Sequence, residues 1–353
     1  MGDVPGLDLD ALRAYAQERR PGALDAAGDL HAEVIAGGKS NLTYRLWADD
    51  GRTWVVRRPP LGHVLATAHD MTREFTVMTA LGKTRVPVPP THFLCDDPAV
   101  IGAPFYVMSY VDGTVYRGGP ESRALNAERA RHMSEHLIDV LADLHDIDPT
   151  DVGLDGFGRP EGYLNRQLAR WHKQFDLSRS RDLPGMEDLF AALAADVPES
   201  GAPAIVHGDY RLDNVIVDAD DRVAAVLDWE MATLGDPLAD LGLFLVYWDG
   251  TRDLPVRALA TAVDPARGFP SGRELVARYA ARRAVDLRRL NWYVALGFAK
   301  LAVICEGIYF RFRAGQTVGA GFERMGDLVL PLVGSGLAAL VDPAAGDFIA
   351  KEP

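Results

Sequence analysis

Two short apolar runs, 215–217 and 223–227, flank the polar turn 218–222 and predict a β-hairpin. Upstream, apolar alternation predicts further strands over 30–35, 42–47 and 53–57, then over 92–95 and 104–111. Helical spacing separates them. In 9–19 the apolar positions are Leu9, Leu12, Tyr15 and Ala16, with Asp8 as N-cap and Pro21-Gly22 as the stop. In 70–81 they are Met71, Phe75, Met78 and Leu81. Beyond Val111 the pattern becomes helical: 126–145, 163–175, 186–196, 275–279, 289–312 and 322–341. The expected class is α+β, with a small antiparallel-sheet lobe over 1–111, a mostly helical lobe over 112–353, and no internal repeat.

The ends of the hairpin carry the chemistry. Asp209 and Asn214 precede its first strand and Asp228 ends its second, so a hairpin is expected to draw the three toward one mouth. A carboxylate and an amide oxygen are hard ligands of the kind Mg²⁺ takes beside phosphate and water, which assigns Asp228 and Asn214 to the metal. Asp209 is left to accept a proton from an attacking hydroxyl, with His207 and Arg211 ordering the loop.

Composition narrows the partners. The formal charge is −13, from 37 Lys+Arg against 50 Asp+Glu, which argues against phosphate-backbone binding and so against a nucleic-acid partner. Cys95 and Cys305 stand far apart without metal-ligand or disulfide spacing, and are expected as buried thiols. The N-terminus lacks a basic stretch followed by an apolar core, and the apolar region 292–310 contains Lys300 and Glu306. A core helix, no membrane partner and a cytoplasmic location are the expectations. Oligomeric state is left open.

His207-Gly208-Asp209, Asn214 and Asp228-Trp229-Glu230 resemble the catalytic loop and metal-binding acid of aminoglycoside phosphotransferases, relatives of the protein kinases. Gly235-Asp236-Pro237 with Asp240 is similar to that family's next motif, in which Asp240 would hold the catalytic loop through backbone N–H groups. The resemblance implies a two-lobed protein-kinase-like fold, ATP and Mg²⁺ as cofactors, and phosphoryl transfer to an alcohol. Val55-Val56-Arg57-Arg58-Pro59-Pro60 and His69-Asp70-Met71 with Glu74-Phe75 resemble bacterial aminoglycoside-phosphotransferase homologues, and the kinase-like domain fused ahead of some acyl-CoA dehydrogenases, more than they resemble drug-resistance enzymes.

The resemblance also implies the nucleotide site. Gly37, Gly38, Lys39, Ser40 and Asn41 lie between two strands, where glycine backbone can approach phosphate. Arg57 stands where kinases carry a lysine, with Glu74 as its partner. The carbonyl of Ser109 and the N–H of Val111 would read an adenine edge, with Met108 behind it. Trp229 in place of the kinase phenylalanine implies no flipping activation switch. Three readings stay open: a small-molecule O-kinase, a silent nucleotide-binding module, and a protein kinase, the last opposed by Gly235-Asp236-Pro237 arriving soon after Asp228. The aromatic stretch 291–313, with Trp292, Tyr293, Leu296, Phe298, Leu301, Ile304, Tyr309 and Phe312 beside Lys300, Arg311 and Arg313, predicts an acceptor with an apolar or acyl part, such as a hydroxyacyl thioester, over a polycationic sugar.

Overall fold

The computed structural model describes residues 4–25, 27–35, 41–61, 70–252, 254, 263–316 and 321–341. The chain packs into two compact units: the chain up to Gly113 with Ala224–Ala232, and Thr114–Val223 with the chain from Thr233 onward. The sequence pattern predicts one boundary, at 111, and does not assign 224–232 to the first unit. Two bonds explain that assignment: the Val226 N–H donates to the Pro87 carbonyl at 2.8 Å, and Arg73 Nε donates to the Ala232 carbonyl at 2.8 Å.

The first unit holds a five-stranded antiparallel sheet in the order β1-β2-β3-β5-β4. Its strands are β1 (Leu30–Val34), β2 (Leu42–Ala48), β3 (Thr53–Arg58), β4 (Thr91–Cys95) and β5 (Phe105–Ser109). Helices α1 (Leu9–Arg19) and α2 (Met71–Leu81) start at the acidic N-caps Asp8 and Asp70, whose side chains accept from the N–H groups of Ala11 and Arg73. One sheet face closes a core of Leu12, Leu24, Tyr44, Leu46, Trp54, Val56, Phe93, Phe105 and Val107, with Tyr15 at its edge. Side chains alternate along a strand, so Arg58 and Arg57 leave β3 on opposite faces. Arg58 turns inward and donates to the carbonyls of Gly6 and, at 2.8 Å, Ile101. Arg57 emerges on the other face, the one that carries Tyr106 and Met108.

The second unit is mostly helical: α3 (Pro120–Arg123), α4 (Ala127–His145), α5 (Tyr163–Ser178), α6 (Met186–Ala195), α7 (Pro237–Leu245), α8 (Gly272–Arg282), α9 (Leu290–Arg313) and α10 (Met325–Val341). The strands β6 (Ala204–Val206) and β9 (Thr233–Gly235) pair antiparallel, with Ile205 opposite Leu234. Strand β7 (Val215–Val217), and β8 (Val223–Val226), most of which belongs to the first unit, stand where the two apolar runs predicted them, and the turn 218–222 closes through the Asp218 N–H to the Arg222 carbonyl at 2.9 Å. The capping box of Ser271 and Glu274 starts α8 three residues before the predicted helical stretch. Helix α9 is long and apolar enough to cross a membrane by composition, and so is the stretch Phe322–Val341. In this structure α9 is the core helix of its unit, packed against α10, α7, α5 and α6 and buried along most of its length.

Candidate active site

Strand register arranges the candidate residues of the first unit. Arg57 is aligned with Tyr106 on β5 and with Thr43 on β2, and the next row on the same face pairs Val55 with Met108. Over this face α2 brings Glu74, buried to 1% side-chain exposure, whose Oε2 lies 3.0 Å from Arg57 Nε and accepts from the Tyr106 hydroxyl at 3.0 Å. The fork of Arg57 extends further. Its Nη2 donates to Asp228 Oδ1 at 2.7 Å. Burial pushes the Glu74 carboxyl above its ordinary range, with Arg57 acting against the shift. Burial also works against the Arg57 charge, yet Tyr106, Glu74, Asp228 and Glu230 outweigh it and its pKa rises.

Asp228 has φ 65 and ψ 59, a left-handed conformation that only glycine, asparagine and aspartate adopt readily. Behind it Trp229 is fully buried, its indole N–H donating to the Val226 carbonyl at 2.9 Å. Asn41, expected beside phosphate, is itself buried, and its Nδ2 donates to Glu74 Oε1 at 3.1 Å and Glu230 Oε2 at 3.4 Å. Gly37, Gly38 and Ser40 lie outside the described residues. Met108 is buried on the Arg57 face of the sheet, Ser109 ends β5 and donates its N–H to the Pro90 carbonyl at 2.8 Å, and Val111 follows just beyond.

The second unit holds Asp209 and Asn214. Asp240, on α7, accepts the N–H of His207 at 2.5 Å and of Gly208 at 2.7 Å, which fixes the turn leading to Asp209. Behind Asp240 stands His145 at 3.3 Å, and behind that the Tyr279 hydroxyl at 2.8 Å. Burial opposes the Asp240 charge, but His145, His207 and the backbone donors hold its carboxyl below the usual range, while burial lowers the His145 pKa against the pull of Asp240. His207 Nδ1 accepts the Asp209 N–H at 3.2 Å, and Arg211 Nε lies 3.6 Å from Asp209 Oδ2.

Asn214 spends Nδ2 on the Asp209 carbonyl at 2.9 Å and on Asp209 Oδ2 at 3.0 Å. Its amide oxygen is thereby left as an acceptor. Among the described residues Arg57 takes Oδ1 of Asp228 and no bond is made to its other oxygen. Each of the two residues by itself offers a hard oxygen of the donor type Mg²⁺ takes.

Two residues that hold the Asp209 loop lie outside every motif. The Tyr247 hydroxyl donates to Asp209 Oδ1 at 2.8 Å, and Lys300, buried in α9, donates to the Gly208 carbonyl with Trp171 stacked at 5.3 Å. The sequence offers one signal for them, the lone lysine in an apolar helix. The expected aromatic acceptor wall on α9 is corrected by burial. Trp292, Tyr293, Leu296, Phe298 and Leu301 are each at most 5% exposed, and the polar tips of the first two are spent on the Leu193 carbonyl at 3.0 Å and Asp236 at 2.7 Å. Only Ile304, Tyr309 and Phe312 of that set are partly open. A small cleft does open beside the Asp209 loop, lined by Arg211, Asp213, Phe244, Tyr247, Trp248 and Val263.

Residues 31–290, a span that contains Arg57, Glu74, Asp209, Asn214 and Asp228, match the Phosphotransferase enzyme family. The chain belongs to that family. Among curated relatives, Acyl-CoA dehydrogenase family member 11 of Rattus norvegicus is 35% identical over 335 residues, which cover 94% of this phosphotransferase-family chain and 43% of the relative. The chain therefore spans less than half the length of that relative. The crystal structure of a "putative aminoglycoside phosphotransferase" of Ralstonia eutropha is 32% identical, with a TM-score of 0.80 over 94% of this chain and 98% of that one. A thermostable mutant of an aminoglycoside phosphotransferase, solved in a ternary complex with AMP-PNP and hygromycin B, shares the fold at 14% identity, with a TM-score of 0.59 over 95% of this chain and 98% of that one. The expected α+β, protein-kinase-like fold is the fold of this family member.

Proposed function

We propose that this chain is a small-molecule kinase that transfers the γ-phosphate of ATP to an alcohol with Mg²⁺ as cofactor. The observation that carries the reading is the fixed carboxylate of Asp209, which follows a turn held by Asp240 and takes a donor on each of its two oxygens. Phosphoryl transfer asks for such positioning more than for covalent chemistry. Mg²⁺, when bound, would offset phosphate charge, and the oxygens this chain offers it are those of Asn214 and Asp228. Arg57 would orient phosphate oxygens through its planar fork, with Glu74 holding the guanidinium from behind. AMP-PNP bound to a relative in fold supports ATP as the donor.

The acceptor is proposed to be a hydroxylated metabolite with an acyl part. Support comes from the name of the acyl-CoA dehydrogenase relatives, since the α9 aromatics are spent on packing. A protein kinase is disfavoured because Asp228 is followed at once by the turn Trp229–Met231, strand β9 and helix α7, with no room for an activation segment. A silent nucleotide-binding module is the second reading, favoured by the ion pair that occupies Asp228. Incubation with Mg-ATP and a metabolite library, read by mass spectrometry for added phosphate, separates the two. Phosphate on a hydroxyl compound supports the kinase. ATP binding with no phosphorylated product and no ADP formed supports the silent module.

A further inference from the structure

Tyr247 lies in a π-helical turn, Val246–Gly250, that continues α7. An i→i+5 turn rotates the following side chains away from the positions an α-helix would give them, and such turns recur at functional sites. Here the rotation sets the Tyr247 ring, 7% exposed, against the Asp209 loop. Its hydroxyl donates to Asp209 Oδ1 at 2.8 Å, while Asn214 Nδ2 donates to Oδ2 at 3.0 Å. The Arg211 guanidinium lies over the Tyr247 ring at 4.9 Å and reaches toward Oδ2 at 3.6 Å. Each oxygen of Asp209 thus has its own fixed donor. The terminal torsion of an aspartate is otherwise broad, and rotation about it would break both bonds. Burial, reinforced by Asp209, pushes the Tyr247 phenol well above its ordinary pKa, so the hydroxyl keeps the proton it donates.

We propose that Tyr247 is a positioning residue for Asp209, its hydroxyl locking the carboxylate plane in the orientation that meets the acceptor O–H. The inference rests on the reading of Asp209 as the proton acceptor. It adds a donor outside the His-Gly-Asp and Asn signature, supplied by a helical turn with no motif of its own.

Water can serve as the acceptor while the physiological one is unidentified. Its oxygen bonds to the γ-phosphorus as the bond to the β–γ bridging oxygen breaks, its proton passes to Asp209, and ADP leaves. Misplacement of a reacting group by about 1 Å costs on the order of a hundredfold. Tyr247→Phe should therefore lower phosphate release from Mg-ATP by about ten- to a hundredfold while changing the KM for ATP less than about twofold. Asp209→Asn with Tyr247→Phe should be no slower than Asp209→Asn alone, because the hydroxyl acts only through that carboxylate. Wild-type turnover in Tyr247→Phe, or a double variant that loses the product of the two single factors, overturns the proposal.

A readout without turnover keeps the inference separate from the reading beneath it. With carbon-13 at the phenolic carbon of tyrosine, the Tyr247 resonance is the one missing from Tyr247→Phe. Asp209→Asn should displace it more than the resonance of a remote tyrosine such as Tyr44. An unmoved resonance ends the proposal even if the enzyme is active. A resonance displaced by Asp209→Asn, together with wild-type protein that forms no ADP, upholds the pairing and ends the kinase reading instead.

Discussion

Arg57 holds two acids at once: its Nε lies 3.0 Å from Glu74 Oε2 and its Nη2 2.7 Å from Asp228 Oδ1. A lysine ammonium is a point charge and could not span both with the geometry of a planar fork. The arginine at this position therefore links α2, β3 and the segment after β8 in one ion network inside the first unit.

That network makes Arg57 matter for stability as well as for the proposed nucleotide binding. Removing one partner of a buried pair leaves the other uncompensated, at a cost of about 3–5 kcal/mol. Arg57→Ala should lower the unfolding free energy measured in urea by an amount of that order and raise the KM for ATP, and Arg57→Lys should recover only part of each. A lysine variant faster than wild type would show that the fork is not needed for transfer.

Asp228 needs a substitution that respects its backbone. At φ 65 an alanine would add strain unrelated to metal binding, whereas asparagine tolerates this region. Asp228→Asn should abolish the gain in ATP affinity that Mg²⁺ brings and leave metal-free affinity equal or higher, since Arg57 loses a competing charge. Titration calorimetry with and without Mg²⁺ measures both. Equal losses in the two conditions would place the role of Asp228 in folding.

The buried chain of Tyr279, His145 and Asp240 sets an acid limit on the fold. The folded His145 titrates below its ordinary 6.5, so its contribution is present above that value and is lost as pH falls through the folded pKa. Asp240 also titrates low, below its ordinary 3.8, so its contribution is present above 3.8 and is lost on further acidification. Wild-type stability in urea should therefore fall from about pH 6.5 downward and again below about pH 4, and Asp240→Asn should flatten the second fall. An unchanged acid profile in that variant would remove Asp240 from the account.

The elements that carry a clear period are legible in the sequence. Apolar spacing places Arg57 on a strand and Glu74 on a helix, but their pairing and the buried role of Asp240 come only from the family resemblance. What escapes has a physical pattern. Strand β9 is three residues, too short for alternation to register, and its pairing with β6 is a long-range interaction. Asn41 sits beside a glycine pair, which points equally to a phosphate and to a turn, while its amide is drawn to Glu74. The α9 aromatics show why composition misleads: a helix buried on every side looks the same in sequence as one that lines a pocket. Tyr247 depends on a π turn that leaves no trace in the apolar pattern.

Lys300 extends the control of the Asp209 loop to α9. Its ammonium is buried, donates to the Gly208 carbonyl and lies over Trp171, and burial pulls its pKa below the ordinary 10.5 while Asp209 and Asp240 oppose the shift. The Gly208 N–H is already held by Asp240, so Lys300 and Asp240 grip the two sides of one residue. Lys300→Met keeps the length and apolar stem but leaves the half-buried Gly208 carbonyl without its donor, a loss of about 1–3 kcal/mol at most. The variant should be destabilised by that order in urea and should turn over more slowly, with the KM for ATP changed little because Lys300 reaches only the Gly208 carbonyl of the loop. Lys300→Arg should not fully restore it, since a planar fork places its donors differently from a compact ammonium. If Lys300→Met matched wild type in stability and turnover, the lysine would be a tolerated passenger of the core, and Asp240 alone would hold the loop.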